Sequence, residues 1–153
     1  MFPLCSNNER PALLGIRNQK IVILPPFRSV TLHLTAAGDG TKWMNATGWS
    51  CYTCKGQTES DRLADCFYKA AEQILENQVI RIDYARDGDP DWEENFYILR
   101  HSLCLAVLVE QFFMDNKKDL AYLLSDEGKR NLIDVIVSGL ESFCSLSFPF
   151  HEH

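Results

Sequence analysis

The sequence predicts an α+β fold in which a small antiparallel sheet, made of an N-terminal hairpin and short strands, is covered by about four helices. Two patterns of hydrophobic residues support this class. Apolar and polar side chains alternate over residues 30–36, as in a half-buried strand, whereas apolar side chains recur every three or four positions over residues 63–75, as on one face of a helix. With 153 residues, 46% of them hydrophobic, the chain is expected to form one domain over residues 1–153.

The strand-rich part covers residues 21–56 and follows an irregular arm at residues 1–20. A short apolar run at residues 21–24 ends at two prolines, which favours a short or edge strand. The glycines of segment 38–40 predict a tight hairpin between the alternating strand and a second strand at residues 42–54.

Residues 57–150 are predicted to be mainly helical. Thr58 or Ser60 can cap the first helix. Its apolar stripe consists of Leu63, Cys66, Phe67, Ala70, Ala71, Ile74 and Leu75. Residues 79–84 alternate again and predict a short strand.

A long helix is predicted to begin at Asp89, which is followed by a proline, and to run to about Met114. From Leu103 onward this segment is apolar on all sides, so we expect it to be the central buried helix. A short helix at residues 117–124 and a last helix after Ser125 complete the helical layer.

Two glycines interrupt the predicted elements. Gly48 lies within the second strand and indicates a bulge or a close backbone approach. Gly139 lies within the last helix, where glycine costs about 1 kcal/mol relative to alanine. Close packing of another helix would account for its presence.

Charge divides the chain unevenly. Residues 1–55 have a net charge of +4, residues 56–153 a net charge of −10, and the whole chain −6. Together with the absence of a recognisable catalytic motif, this favours a non-enzymatic regulator of the inhibitor, immunity or chaperone type. We expect it to dimerise and to bind a protein with a basic surface through its acidic helical side. The candidate partner-binding residues are Asp61, Asp65, Glu72, Glu76, Asp87, Asp89, Asp91, Glu93 and Glu94.

A zinc-stabilised nucleic-acid-binding module is the first alternative. Cys51 and Cys54 have the spacing of a zinc-binding pair, and Cys66 is a candidate third ligand. In a straight strand the first two would face opposite sides, so structural thiols without a cofactor are the favoured interpretation. Aromatic and basic residues of the same region are candidates for stacking on bases, although the net negative charge disfavours nucleic acid. They are Trp43, Trp49, Tyr52, Lys42 and Lys55.

A small thiol-dependent enzyme is the second alternative. No pattern places a histidine beside a cysteine, and His33 is expected to be a solvated residue on the polar face of its strand. No signal peptide is recognisable, so a cytoplasmic protein with reduced thiols is expected. The most apolar run, residues 103–109, is too short for a membrane span, which needs roughly 20 residues.

Overall fold

A computed structural model describes residues 28–147 of the chain. These residues contain four strands and four helices, which confirms the α+β class. The elements are β1 (Arg28–Thr35), β2 (Ser50–Thr53), α1 (Glu59–Ile74), β3 (Trp92–Glu93), α2 (Tyr97–Arg100), β4 (Leu105–Phe113), α3 (Lys117–Leu124) and α4 (Asp126–Ser147). The arm predicted at residues 1–20 and the strand predicted at residues 21–24 lie outside the described residues.

The strands form one mixed sheet in the order β1-β4-β2-β3. Strand β4 is parallel to β1 and antiparallel to β2, and β3 pairs in parallel with β2. The hairpin expected between β1 and β2 does not form, because β4 lies between these two strands. Of the second strand expected at residues 42–54, only β2 forms. The strand expected at residues 79–84 is reduced to a single β-bridge between Ile80 and Trp49.

Strand β4 occupies the segment for which the sequence predicted a long buried helix, so that prediction is wrong. Only α2, a single turn, is helical between residues 89 and 114. A short, continuous apolar run fits a strand buried on both faces as well as a buried helix, and periodicity does not separate the two. Val107 and Val109 of β4 are fully buried on one face, and Ala106 and Leu108 are buried on the other.

Helices α1 and α4 cover one face of the sheet and pack against each other. The main core between them and the sheet includes Trp49, Leu63, Phe67, Tyr68, Val107, Val109, Phe112, Val135 and Phe143. A smaller cluster on the opposite face contains Cys54, Leu99, Ala106 and Leu108. Within residues 28–147, the face opposite α1 and α4 therefore has a much thinner cover.

Two local predictions are confirmed. Helix α1 begins with a capping box, in which the Thr58 side chain accepts from the Ser60 amide and Asp61 accepts from the Thr58 amide. Gly48 has φ +115°, and a Cβ there would lie 3.0 Å from the Val79 carbonyl oxygen, so the backbone does approach closely. No helix within residues 28–147 is long and apolar enough to cross a lipid bilayer.

Candidate active site

Two ionisable side chains meet at the carboxyl end of the parallel strands. His33 of β1 and Glu110 of β4 are register partners, and the His33 Nδ1 atom lies 3.7 Å from the Glu110 Oε1 atom. Glu110 follows Ala106 and Leu108 on the face opposite α1 and α4, since side chains alternate along a strand. The imidazole is 47% exposed and the carboxyl 13% exposed. One partner of the pair therefore faces solvent and the other lies within the protein.

The Glu110 carboxyl is only partly satisfied by the protein. Its Oε2 atom is buried and accepts no hydrogen bond from the described residues, and the same is true of the hydroxyl of Ser50, its register partner on β2. Burial raises the pKa of Glu110, and the nearby His33 lowers it in part. A largely buried carboxyl with a raised pKa beside an imidazole is suited to accept and return a proton.

A break in the strand register follows Glu110 directly. The pairing of β1 with β4 shifts between His33 and Thr35, and Phe112 has φ +67°, a left-handed conformation rare for non-glycine residues. The Phe112 ring is fully buried and contacts the Tyr122 ring edge-on, with centroids 5.4 Å apart. This irregularity ends the ladder and directs the chain away from the sheet immediately after the carboxyl.

Asp119, at the start of α3, joins this end of β4 to the loop before β2 through hydrogen bonds. Its carboxylate accepts from the Thr47 hydroxyl at 2.5 Å, from the Gly48 amide at 3.1 Å and from the Phe113 amide at 3.0 Å. Asp119 is 3% exposed, so these bonds lie in a region of low dielectric. The network fixes β4 relative to its surroundings, and thereby the position of Glu110.

A cleft of about 430 Å³ opens beyond the ends of β1 and β4. Ala36 and residues 40–43, after β1, form one side of it, and Met114 and Asp115, after β4, form the other. Asp115 Oδ2 accepts from the amides of Ala37 and Gly38, at 2.9 and 2.8 Å. The cleft is therefore bounded by two segments that are joined by hydrogen bonds.

The predicted partner-binding acids do not form one free surface. Asp61 and Asp91 are 5% and 1% exposed, and the Thr53 hydroxyl donates to Asp91. The remaining acids with fold contacts are Asp87 and Asp89, which accept from Gln57, Glu93, which accepts from the Gly56 amide, and Glu94, which pairs with Arg86. Glu72 and Glu76 are exposed on and just after α1, and Asp65 is half-buried there.

The candidate zinc ligands are separated by the sheet. Cys51 and Cys66 belong to the main core, whereas Cys54 lies in the cluster on the other face. Cys54 is disulfide-bonded, so the expectation of reduced thiols is wrong for this residue. Burial raises the pKa of Cys51 well above that of a free thiol, which makes it a poor nucleophile. Within residues 28–147 no three His, Cys, Asp or Glu side chains are close enough to hold a metal ion.

The candidate nucleic-acid residues are also placed apart. Trp49 is fully buried in the core, whereas Trp43 is 53% exposed at the cleft. Tyr52 is half-buried on β2, and Lys42 and Lys55 are exposed. Trp43 and Trp49 therefore do not present one stacking surface.

Sequence reasoning missed Glu110 altogether. It predicted a solvated or hydrogen-bonded surface residue at His33, which the 47% exposed imidazole fits, but it did not predict the pairing with Glu110. Glu110 is the one charged residue within the apolar segment 103–114, and this isolation is a signal that could have singled it out. Its pairing with His33 depends on the strand order, which a single sequence does not reveal.

The sequence profile of one family, Amidase_3 (N-acetylmuramoyl-L-alanine amidase), matches residues 28–142, which include both members of the ionisable pair. The chain belongs to this amidase family. No curated protein sequence matches it.

Solved structures of N-acetylmuramoyl-L-alanine amidases share the fold. AmiC2 of Nostoc punctiforme is 19% identical, with a TM-score of 0.69 over 88% of this chain and 67% of that one. An amidase from Clostridium difficile 630 is 21% identical, with a TM-score of 0.68 over 88% and 66%. The CwlD amidase from Clostridioides difficile, in complex with the GerS lipoprotein, is 19% identical, with a TM-score of 0.66 over 87% and 62%. The chain thus spans about two thirds of the length of these amidases, and at least one of them has a protein partner.

Membership of the amidase family corrects the predicted function. The non-enzymatic regulator or inhibitor is wrong, because the family whose profile the chain matches consists of N-acetylmuramoyl-L-alanine amidases, which are enzymes. The two alternatives, the zinc-stabilised nucleic-acid-binding module and the thiol-dependent enzyme, are replaced by the same finding. The error arose because the pair at the candidate site is formed by residues 77 positions apart, on two different strands, and leaves no local motif.

Proposed function

We propose that the chain hydrolyses the amide bond between an N-acetylmuramoyl group and L-alanine in cell-wall peptidoglycan. Family membership supports the reaction class, and the pair formed by His33 and Glu110 supports the place where it occurs. This pair carries the proposal, because amide hydrolysis needs a group that removes a proton from water and returns it to the leaving nitrogen.

Glu110 is assigned the proton transfers. Its carboxylate removes a proton from a water molecule as the water oxygen attacks the carbonyl carbon. The protonated carboxyl then donates that proton to the nitrogen as the carbon–nitrogen bond breaks, so the charge on Glu110 is restored. The raised pKa favours the first step, because a more basic carboxylate takes up a proton from water more readily.

We assign His33 an electrostatic role in the reaction. Its imidazole, when protonated, stabilises the carboxylate form of Glu110 and the negative charge that develops on the carbonyl oxygen. Imidazole and carboxylate are also common metal ligands, but no third such side chain lies within reach among residues 28–147. The two steps above therefore use only these two side chains.

Substitution of the carboxyl tests the proposal. Glu110→Gln keeps the shape of the side chain and removes its basicity, so release of L-alanyl peptide from muropeptides should fall at least about 100-fold. The matched control is Glu141→Gln, the same change at an exposed position on α4, which should leave the rate unchanged. Unchanged turnover by a folded Glu110→Gln protein would remove the assignment. Assays with a chelator and with added divalent metal show whether a metal contributes.

For partners, we propose that a protein with a basic surface binds the acidic helical side, where Glu72 and Glu76 are exposed. The net charge of −10 over residues 56–153 supports this by field complementarity. The expected homodimer and the cytoplasmic location stay predictions, which sedimentation equilibrium and cell fractionation test.

A further inference from the structure

A row of four polar residues crosses the face of the sheet opposite α1 and α4. His33 pairs in register with Glu110, and Glu110 pairs in register with Ser50. The Arg81 amide donates to the Trp49 carbonyl at 2.8 Å, which places Arg81 next to Ser50. Neighbouring strands lie about 4.8 Å apart, so the backbone of Arg81 is about 10 Å from that of Glu110 along this row. The row therefore leads from the candidate catalytic pair towards β3.

The Arg81 side chain lies on the same face as the catalytic pair. Its guanidinium carbon is 5.0 Å from the centroid of the Trp92 ring and 5.3 Å from that of the Phe113 ring. The Trp92 ring is in turn 6.2 Å from the ring of Tyr52, which packs on the cluster opposite α1 and α4. Two cation–π contacts thus hold the guanidinium on this face.

The rest of Arg81 is fixed before any ligand arrives. The Tyr68 hydroxyl donates to the Arg81 carbonyl at 2.9 Å. A Cβ added at Gly48 would lie 2.9 Å from Arg81 Cγ, so the side chain passes directly over this glycine. A side chain that is ordered in the free protein loses little conformational entropy when it binds a ligand.

The hydrogen-bonding capacity of this guanidinium is unused. Arg62 and Arg86 pair with carboxylates of the fold, but the guanidinium of Arg81 has no hydrogen bond or ion pair with any of residues 28–147. Arg81 is half-buried, and its nitrogens are not among the buried unpartnered atoms of these residues, so its N–H groups reach solvent. The planar fork of an arginine fits a carboxylate, which accepts two parallel hydrogen bonds from it.

We propose that Arg81 determines the specificity of the site by binding a carboxylate of the peptide that begins with the L-alanine. The assignment rests on the proposed amidase function. A peptide that runs along the row from Glu110 covers about 10 Å with its first two or three residues, at about 3.3 Å per residue. The guanidinium anchors the peptide there while the catalytic pair acts on its amide. Peptides with a free carboxylate at this distance are therefore preferred to peptides in which it is amidated.

Titration calorimetry tests the proposal with N-acetyl-L-alanyl-D-glutamate, in which an acetyl group replaces the muramoyl group, and with its diamide, which has no carboxylate. The wild-type protein should bind the diacid at least about tenfold more tightly, because hydrogen bonds between charged groups are the stronger ones. Arg81→Gln should remove this difference by weakening binding of the diacid alone. Arg81→Lys keeps the charge but not the planar fork, so it should keep only part of the preference.

The matched control is Arg130→Gln, the same change at an exposed position on α4, which should bind both peptides as the wild type does. Glu110→Gln should lose hydrolysis and keep the preference, so a failure of the amidase function and a failure of the carboxylate site give different results.

Three results would overturn the proposal. They are equal binding of the two peptides by the wild type, no binding of the diacid at millimolar concentration, and an undiminished preference in a folded Arg81→Gln protein. If Arg81→Gln does not fold, Arg81→Lys decides, and a preference as large as that of the wild type would overturn the proposal.

Discussion

Phe112 combines a left-handed backbone with a fully buried ring, two residues after Glu110. Replacement by glycine would relieve about 1–2 kcal/mol of backbone strain. The same change would remove a core aromatic side chain, which costs about 3–5 kcal/mol. We therefore expect Phe112→Gly to lower the free energy of unfolding by about 2 kcal/mol in urea denaturation. Equal or higher stability would show that strain dominates at this position.

Some features of single residues could be predicted from the sequence, whereas the candidate active site could not. Patterns of single residues identified the cap Thr58 and the close approach at Gly48, because each depends on its immediate neighbours. The significance of His33 and Glu110 depends on a contact between residues far apart in the chain. Residue types alone therefore did not reveal the candidate active site.

At the scale of elements, α4 crosses α1 at Gly139. A Cβ added there would lie 2.2 Å from Phe67 Cδ1 and 3.2 Å from Phe67 Cα. Alanine gains about 1 kcal/mol in helix propensity, but an overpacked core costs about 1–3 kcal/mol. Phe67 is fully buried and has little room to move, so Gly139→Ala should destabilise the protein despite its better propensity. Thermal unfolding measures the difference.

Ser142→Ala is the control for that substitution, because Ser142 is exposed on the same helix. It should change stability by less than about 0.5 kcal/mol. A Gly139→Ala protein more stable than wild type would mean that the two helices separate at little cost.

Close packing was the reason expected from the sequence for this glycine, and the contact with Phe67 confirms it. Strand β4 was not predictable in the same way, since a run buried on both faces carries no period.

For the whole molecule, buried carboxyls make stability depend on pH. Burial raises the pKa of Asp61 to about 6 and that of Asp91 to about 8, from an ordinary value near 3.8. Between about pH 4 and pH 8 the folded protein therefore binds more protons than the unfolded chain, and stability falls as the pH rises. Asp91→Asn should flatten this decline in urea midpoints between pH 5 and pH 8, because the amide does not ionise.

Asp134→Asn is the matched control, since Asp134 is exposed on α4 and the protein should keep its pH dependence. A decline of the same slope in Asp91→Asn and wild type would assign the effect to other groups. Part of the negative charge that the sequence assigned to an acidic surface is internal. Asp61 and Asp91 are acids of the fold rather than of a free surface, and composition does not distinguish these two locations.

The central position of β4 sets the order in which the domain can assemble during synthesis. Both β1 and β2 join the sheet through this strand, although it lies about 50 to 75 residues after them in the chain. While the ribosome is still translating the segment before Leu105, neither strand can pair with β4, and the edges that will meet β4 stay available to other chains. The nascent protein thus gains the contact between His33 and Glu110 only after β4 has been translated.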